Sequence, residues 1–192
     1  MKFKNASLLI ILIFLSGCCE EDLTGSYQLD EFARSIVPFQ EYTTLNYRND
    51  SGERILANTQ PREIKIIKDK PGPESCQYSE HETLSNFINF QDPEFSIQLG
   101  MSSGDNGVSF GLKYVESGDN SATEVFDLEG YDPPTNNLQD ALKDTLINVY
   151  QFSNVLVFSN AANEKIRTIV YSSSGRGIEI IEFADGSYLK LE

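Results

Sequence analysis

The sequence predicts a mainly β fold, an antiparallel meander curled into a barrel, half-barrel or sandwich, and two observations carry this. Phe95, Ile97, Leu99 and Met101 alternate with Ser96, Gln98 and Gly100, and Val108, Phe110, Leu112 and Tyr114 alternate with Ser109, Gly111 and Lys113. A period of two is that of a strand with one buried face, and the Gly-rich loop between the two segments makes them a hairpin. The second observation is Asp185-Gly186, set between the apolar segments Gly177–Phe183 and Ser187–Leu191. Asp-Gly suits a two-residue turn because both positions need positive φ.

The other elements follow in order. Tyr27 to Phe39 mixes apolar and charged residues without a clean period and is interrupted by Pro38. Tyr42–Arg48 and Arg54–Asn58 flank the turn-rich Asn49-Asp50-Ser51-Gly52 and read as a hairpin. Glu63–Lys68 is a short strand closed by Pro71-Gly72-Pro73, and Thr123–Leu128 continues the meander up to the break at Pro133-Pro134. Leu138, Ala141, Leu142, Leu146 and Val149 then fit a helical stripe that Asn136 or Asn137 caps, which predicts one short helix near 137–147. Its second half, Asp144–Val149, reads equally as a strand. Phe152–Phe158 and Lys165–Tyr171 precede the final two strands.

The N-terminus carries a different signal. Lys2 and Lys4 precede an unbroken apolar run, Leu8 to Leu15, followed by the small residues Ser16 and Gly17. This is signal-peptide anatomy, and the run is shorter than the roughly 20 residues that span a bilayer. Leu15-Ser16-Gly17-Cys18 resembles a bacterial lipobox, the site cut before a lipid-modified cysteine. The resemblance implies that Cys18 carries a diacylglyceryl group, and several acyl chains on one residue hold a protein stably at a membrane. The division expected is a signal peptide over 1–17, an acidic tether over 18–26 and a single β-rich domain over 27–192. Glu20-Glu21-Asp22 behind the cysteine resembles the surface-export signal of some Gram-negative lipoproteins, and a merely solvated tether is the alternative. Asn154-Val155, Ile169-Val170-Tyr171 and Ile180-Ile181-Glu182-Phe183 ahead of Asp185-Gly186 resemble the C-terminal part of uncharacterised bacterial lipoproteins. That resemblance brings no activity with it.

Charge narrows the partners. The chain of 192 residues carries −14, and removing residues 1–17 takes away two lysines and leaves −16. Such a surface repels phosphate backbones, so nucleic acid is excluded as a partner. Of three cysteines, lipid uses Cys18, which leaves Cys19 and Cys76 as a candidate disulfide in an oxidising compartment.

Catalytic and metal chemistry find little support. His81, the only histidine, lies near Cys76, Glu80 and Glu82, but a closed zinc site draws four Cys or His ligands. Neither Gly-x-Ser-x-Gly nor Ser-x-x-Lys occurs. Ser172-Ser173-Ser174-Gly175-Arg176-Gly177 lacks the Gly-Lys-Ser/Thr ending of a phosphate loop and reads as a turn between strands. Glu179 and Glu182 are acids of the kind a glycosidase pairs, yet they stand on one strand. Ser-Gly-Asp-Asn recurs at 103–106 and 117–120, one strand apart, so Asp105 and Asp119 fall at opposite ends of a sheet and cannot share a calcium ion. The expectation is a non-enzymatic lipoprotein without cofactor or metal. It would be held through Cys18 at the outer membrane, on the cell surface or the periplasmic face, and would bind a small molecule or a protein. A β-barrel carrier of an apolar ligand is the alternative, with an envelope hydrolase behind it.

Overall fold

The computed structural model describes residues 20–116, 123–131, 137–160 and 163–192. Among these residues there are thirteen strands: β1 (Asp22–Tyr27), β2 (Thr43–Asn49), β3 (Arg54–Thr59), β4 (Glu63–Asp69), β5 (Gln77–Gln91), β6 (Glu94–Gly104), β7 (Gly107–Glu116), β8 (Thr123–Leu128), β9 (Lys143–Ile147), β10 (Tyr150–Ser159), β11 (Ile166–Ser172), β12 (Ile178–Phe183) and β13 (Tyr188–Leu191), with one α-helix, α1 (Glu31–Ile36). Ten strands run as an up-and-down meander in the order β2, β3, β5, β6, β7, β8, β10, β11, β12 and β13, and β13 pairs with β2 to close a barrel. Every pairing in this ring is antiparallel. Closure removes the exposed edges an open sheet would leave.

The alternation legible in the sequence points inward. Phe95, Ile97, Leu99 and Met101 of β6 and Phe110, Leu112 and Tyr114 of β7 are buried, while the serines and glycines between them face out. Met101 lies opposite Phe110 and Leu99 opposite Leu112, so the two strands offer one continuous apolar face. The barrel is filled: Tyr47, Leu99, Leu112, Phe126, Phe158 and Tyr171 have no exposed surface.

Helix α1 closes one end. Asp30 caps it, accepting from the Ala33 N–H at 2.7 Å, and its inner side buries Ala33 and Ile36 together with Leu29, Val37 and Phe39. Such a short helix is held by packing and by its end groups. The buried Tyr171 hydroxyl donates to Ile36 O at 2.8 Å, and Arg62 Nη1 donates to Arg34 O and Val37 O at 2.7 and 2.9 Å. Arg34 reaches the buried Glu82 carboxylate of β5 with two nitrogens, at 3.0 and 2.5 Å.

Two expectations change here. The residues from Asp22 onward are not a tether: they form β1, parallel to β5, with Asp22 N–H donating to Cys76 O at 2.9 Å. Within the acidic run, Glu21 is ion-paired to Lys68 and Lys70 at 3.1 and 3.0 Å. The helix expected near 137–147 is a 3-10 turn, Leu138–Ala141, followed by β9. Leu138 and Ala141 still face the core, but Lys143 onward pairs with β10 and turns at Asn148, where φ is 54°. The β9–β10 hairpin bends at Asn154, φ 61°, where the register slips. It packs on the outer face, against a second cluster of Phe152, Val155, Val157, Val170 and Ile180.

Besides β1, the strand the sequence did not announce is β5. Its inward positions are Glu82, Leu84, Asn86, Ile88 and Phe90, so two polar side chains interrupt the apolar alternation. Over its length β5 borders β4 and β1 near its start and β3 and β6 further on.

Candidate functional site

The end of the barrel opposite α1 is open and holds a cavity of about 590 Å³. Five connections surround it: the β2–β3 turn with Asn49, Asp50 and Glu53; the β5–β6 turn with Asp92, Pro93 and Glu94; the end of β7 with Glu116; Glu164 and Lys165 before β11; and the β12–β13 turn with Ala184, Asp185 and Ser187. Antiparallel neighbours return to the same end of the barrel at every second connection, which brings these five groups of residues to one rim.

The floor is aromatic. Phe95 stacks on Phe90 with centroids 4.4 Å apart, meets Phe183 edge-on at 6.2 Å and Tyr114 at 5.6 Å. Phe95, Tyr114 and Phe183 line the cavity, with Tyr188 on its wall. Burial raises the Tyr114 pKa, Glu116 and Glu124 adding to the effect and Lys165 opposing it, so the phenol stays neutral.

The rim is acidic. Asp50, Glu53, Asp92, Glu94, Glu116, Glu164 and Asp185 contribute carboxylates, and among the described residues Lys165 is the single cation. Lys165 Nζ lies 2.5 Å from Glu116 Oε2 and 5.7 Å from the centroid of the Tyr114 ring. The Glu116 carboxylate is the main cause of its raised pKa, so the ammonium stays charged. Glu124, opposite Tyr114 on β8, keeps Oε2 buried without a hydrogen-bond partner among the described residues.

The residues singled out in the sequence fall elsewhere. Cys18 and Cys19 lie outside the described residues. Cys76 is disulfide-bonded. His81 is structural: its Nδ1 bonds to Ser103 O at 2.9 Å, its Nε2 to Ser79 Oγ at 2.7 Å, and its ring stacks on Tyr27 at 5.1 Å. Nδ1 therefore carries the proton, because a carbonyl can only accept. Glu82, its sequence neighbour, is committed to Arg34 and to the Leu29 N–H. Among the described residues no group of three His, Cys, Asp or Glu could hold a metal ion.

Ser172–Gly177 is the turn joining β11 to β12, packed under α1, with Gly175 near Ser35 O and Pro38. Glu179 and Glu182 face separate arginines, Arg176 and Arg167, each at 3.5 Å. Asp105-Asn106 is the β6–β7 turn, whereas the second copy of that motif, 117–120, lies outside the described residues. Nothing in the sequence marked the mouth, because its acids come from five separate turns and each reads there as ordinary turn chemistry. Among the described residues no helix is long and apolar enough to cross a membrane. No family model, no curated protein and no solved structure matches the chain.

Proposed function

We propose that this is a non-enzymatic binding lipoprotein of the cell envelope, which takes a small molecule into the open mouth of its barrel. The observation that carries this reading is the asymmetry of the two ends. One is sealed by α1, and the other opens on a cavity of about 590 Å³, within the size range of small-molecule sites. The filled interior disfavours an apolar ligand swallowed into the barrel, so the ligand sits at the mouth.

The anchor fits the same picture. Cys18 stands four residues before β1, a reach of at most about 14 Å, so a lipid on Cys18 would seat the barrel close to the membrane. With Cys18 lipidated, Cys19 is the remaining partner for Cys76. The 15 residues of β5 run from Gln77, beside β1, to the rim turn at Asp92, a span of roughly 45 Å. The mouth would therefore face away from the bilayer.

A block at the rim tests the reading. Ala184 lines the cavity, and Ala184→Trp should fill it without touching the core. Small molecules that raise the melting temperature of the detergent-solubilised lipoprotein should lose their effect in this variant. Ligands that stabilise both proteins equally would remove the mouth as the site.

A further inference from the structure

The chemistry of the mouth selects among ligands. Eighteen of the described residues line it and seven of these are acids, against 29 acids in the 192 residues of the chain, a concentration that composition alone would not produce. Against seven carboxylates stands one ammonium, so anions are repelled from the cavity and cations drawn in. A bound divalent metal is a poor match, because no three of these acids come close enough together to hold one. What remains is a cation that does not need tight oxygen coordination.

The floor supplies the rest of the site. Three rings, Phe95, Tyr114 and Phe183, offer an apolar base below the charged rim. One ammonium already uses this arrangement: Lys165 Nζ is paired with Glu116 and stands over the Tyr114 ring. Carboxylate beside and aromatic face beneath is the geometry that holds ammonium ligands. We infer that the mouth binds an organic cation, its ammonium placed among the rim carboxylates and its apolar body set against Phe183 and the small exposed part of Tyr114. The tethered Lys165 side chain competes for the same ring. The inference rests on the mouth being the binding site and adds the class of ligand.

Three probes with one naphthyl body and different charge separate the two claims. 1-Naphthylmethylamine, 1-naphthalenemethanol and 1-naphthylacetate are titrated against the detergent-solubilised lipoprotein, with naphthyl fluorescence and the amide signals of Phe183 and Tyr114 as readouts. The amine is expected to bind about tenfold more tightly than the alcohol, with the acetate weakest. That advantage should collapse at about 1 M salt, where screening shortens to roughly 3 Å. Lys165→Ala should tighten the amine roughly threefold or more and leave the alcohol unchanged, since it frees the ring and removes a like charge. The combined Asp50→Asn, Asp92→Asn and Glu164→Gln variant should bring the amine down to the alcohol. If alcohol and amine bind alike, or the acetate binds best, the cation assignment falls while the mouth remains the site. If none of the three binds and no rim amide moves, both the ligand class and the mouth site fall. The wild-type series decides this even if a variant fails to fold.

Discussion

Gly177 lies against the ring of Phe39 so closely that a Cβ built on it would stand 2.7 Å from Cζ, on a backbone with φ +89°. The glycine-rich turn thus serves the seal at the closed end, where Phe39 is buried under it. Gly177→Ala should cost about 2–4 kcal/mol, combining the strain of positive φ with displacement of a packed ring. Gly186→Ala has the same φ and open space around it, and should cost only about 1–2 kcal/mol. Urea melts of both variants make the comparison, and equal losses would show that Phe39 yields freely.

The two-pronged contact between Arg34 and Glu82 ties the plug to β5, and it sets a pH dependence. The Arg34 guanidinium, helped by the Leu29 N–H, holds the Glu82 carboxyl below its usual 4.5, against the opposing effect of burial. A lowered carboxylate pKa stabilises the fold above the ordinary glutamate range and loses that contribution as pH falls through the lowered value. Wild type should therefore exceed Glu82→Gln in stability at neutral pH, and the gap should narrow progressively below about 4.5. Chemical melts across that range test it. A gap that stayed constant would mean that the ion pair does not titrate with folding.

Phe110 tests whether the interior is filled. It is 5% exposed and meets Phe158 and Tyr171 edge-on, with centroids 5.0 and 5.7 Å away. Phe110→Ala should cost about 3–5 kcal/mol, because neighbours fixed on a closed ring of strands cannot collapse into the space. A loss near 1 kcal/mol in denaturant melts would point instead to an interior with slack.

At the anchor, Cys18→Ala should abolish labelling by palmitate and leave the signal peptide uncut. Undiminished label would end the lipobox reading. In the lipidated wild type, peptide mapping without reductant should recover Cys19 joined to Cys76, and recovery of free Cys19 would contradict that pairing.

How far the fold was legible depended on which face of each strand carried polar residues. β6 and β7 carry apolar residues at the inward positions from Phe95 to Met101 and from Phe110 to Tyr114, and both were readable from alternation alone. β5 escaped because Glu82 and Asn86 point inward, the one to meet Arg34 and the other to donate to Gln60 O. α1 escaped because six residues ending just before Pro38 are too few to show a period. Helix and strand stay equally open over β9 in the sequence because Leu138, Ala141 and Leu146 keep helical spacing although they serve two different surfaces: Leu138 and Ala141 are buried and Leu146 is 66% exposed. The mouth needs the ring of strands to be closed before its five turns meet, and no local pattern encodes that.

The seam between β13 and β2 joins Leu189 to Asn49, Lys190 to Arg48 and Leu191 to Tyr47, and Glu192 adds an ion pair to Arg48 across 144 positions of sequence. The ring therefore cannot be completed until the segment from Tyr188 to Leu191 has emerged and found β2. Until then the meander is an open sheet with two bare edges, able to pair with any strand that passes. Closure over such a separation is slow, since the entropy of the loop must be overcome before the contacts repay it. For a chain delivered N-terminus first, the vulnerable interval runs from the appearance of β2 to the arrival of β13. A chaperone of the receiving compartment would find its substrate in that interval.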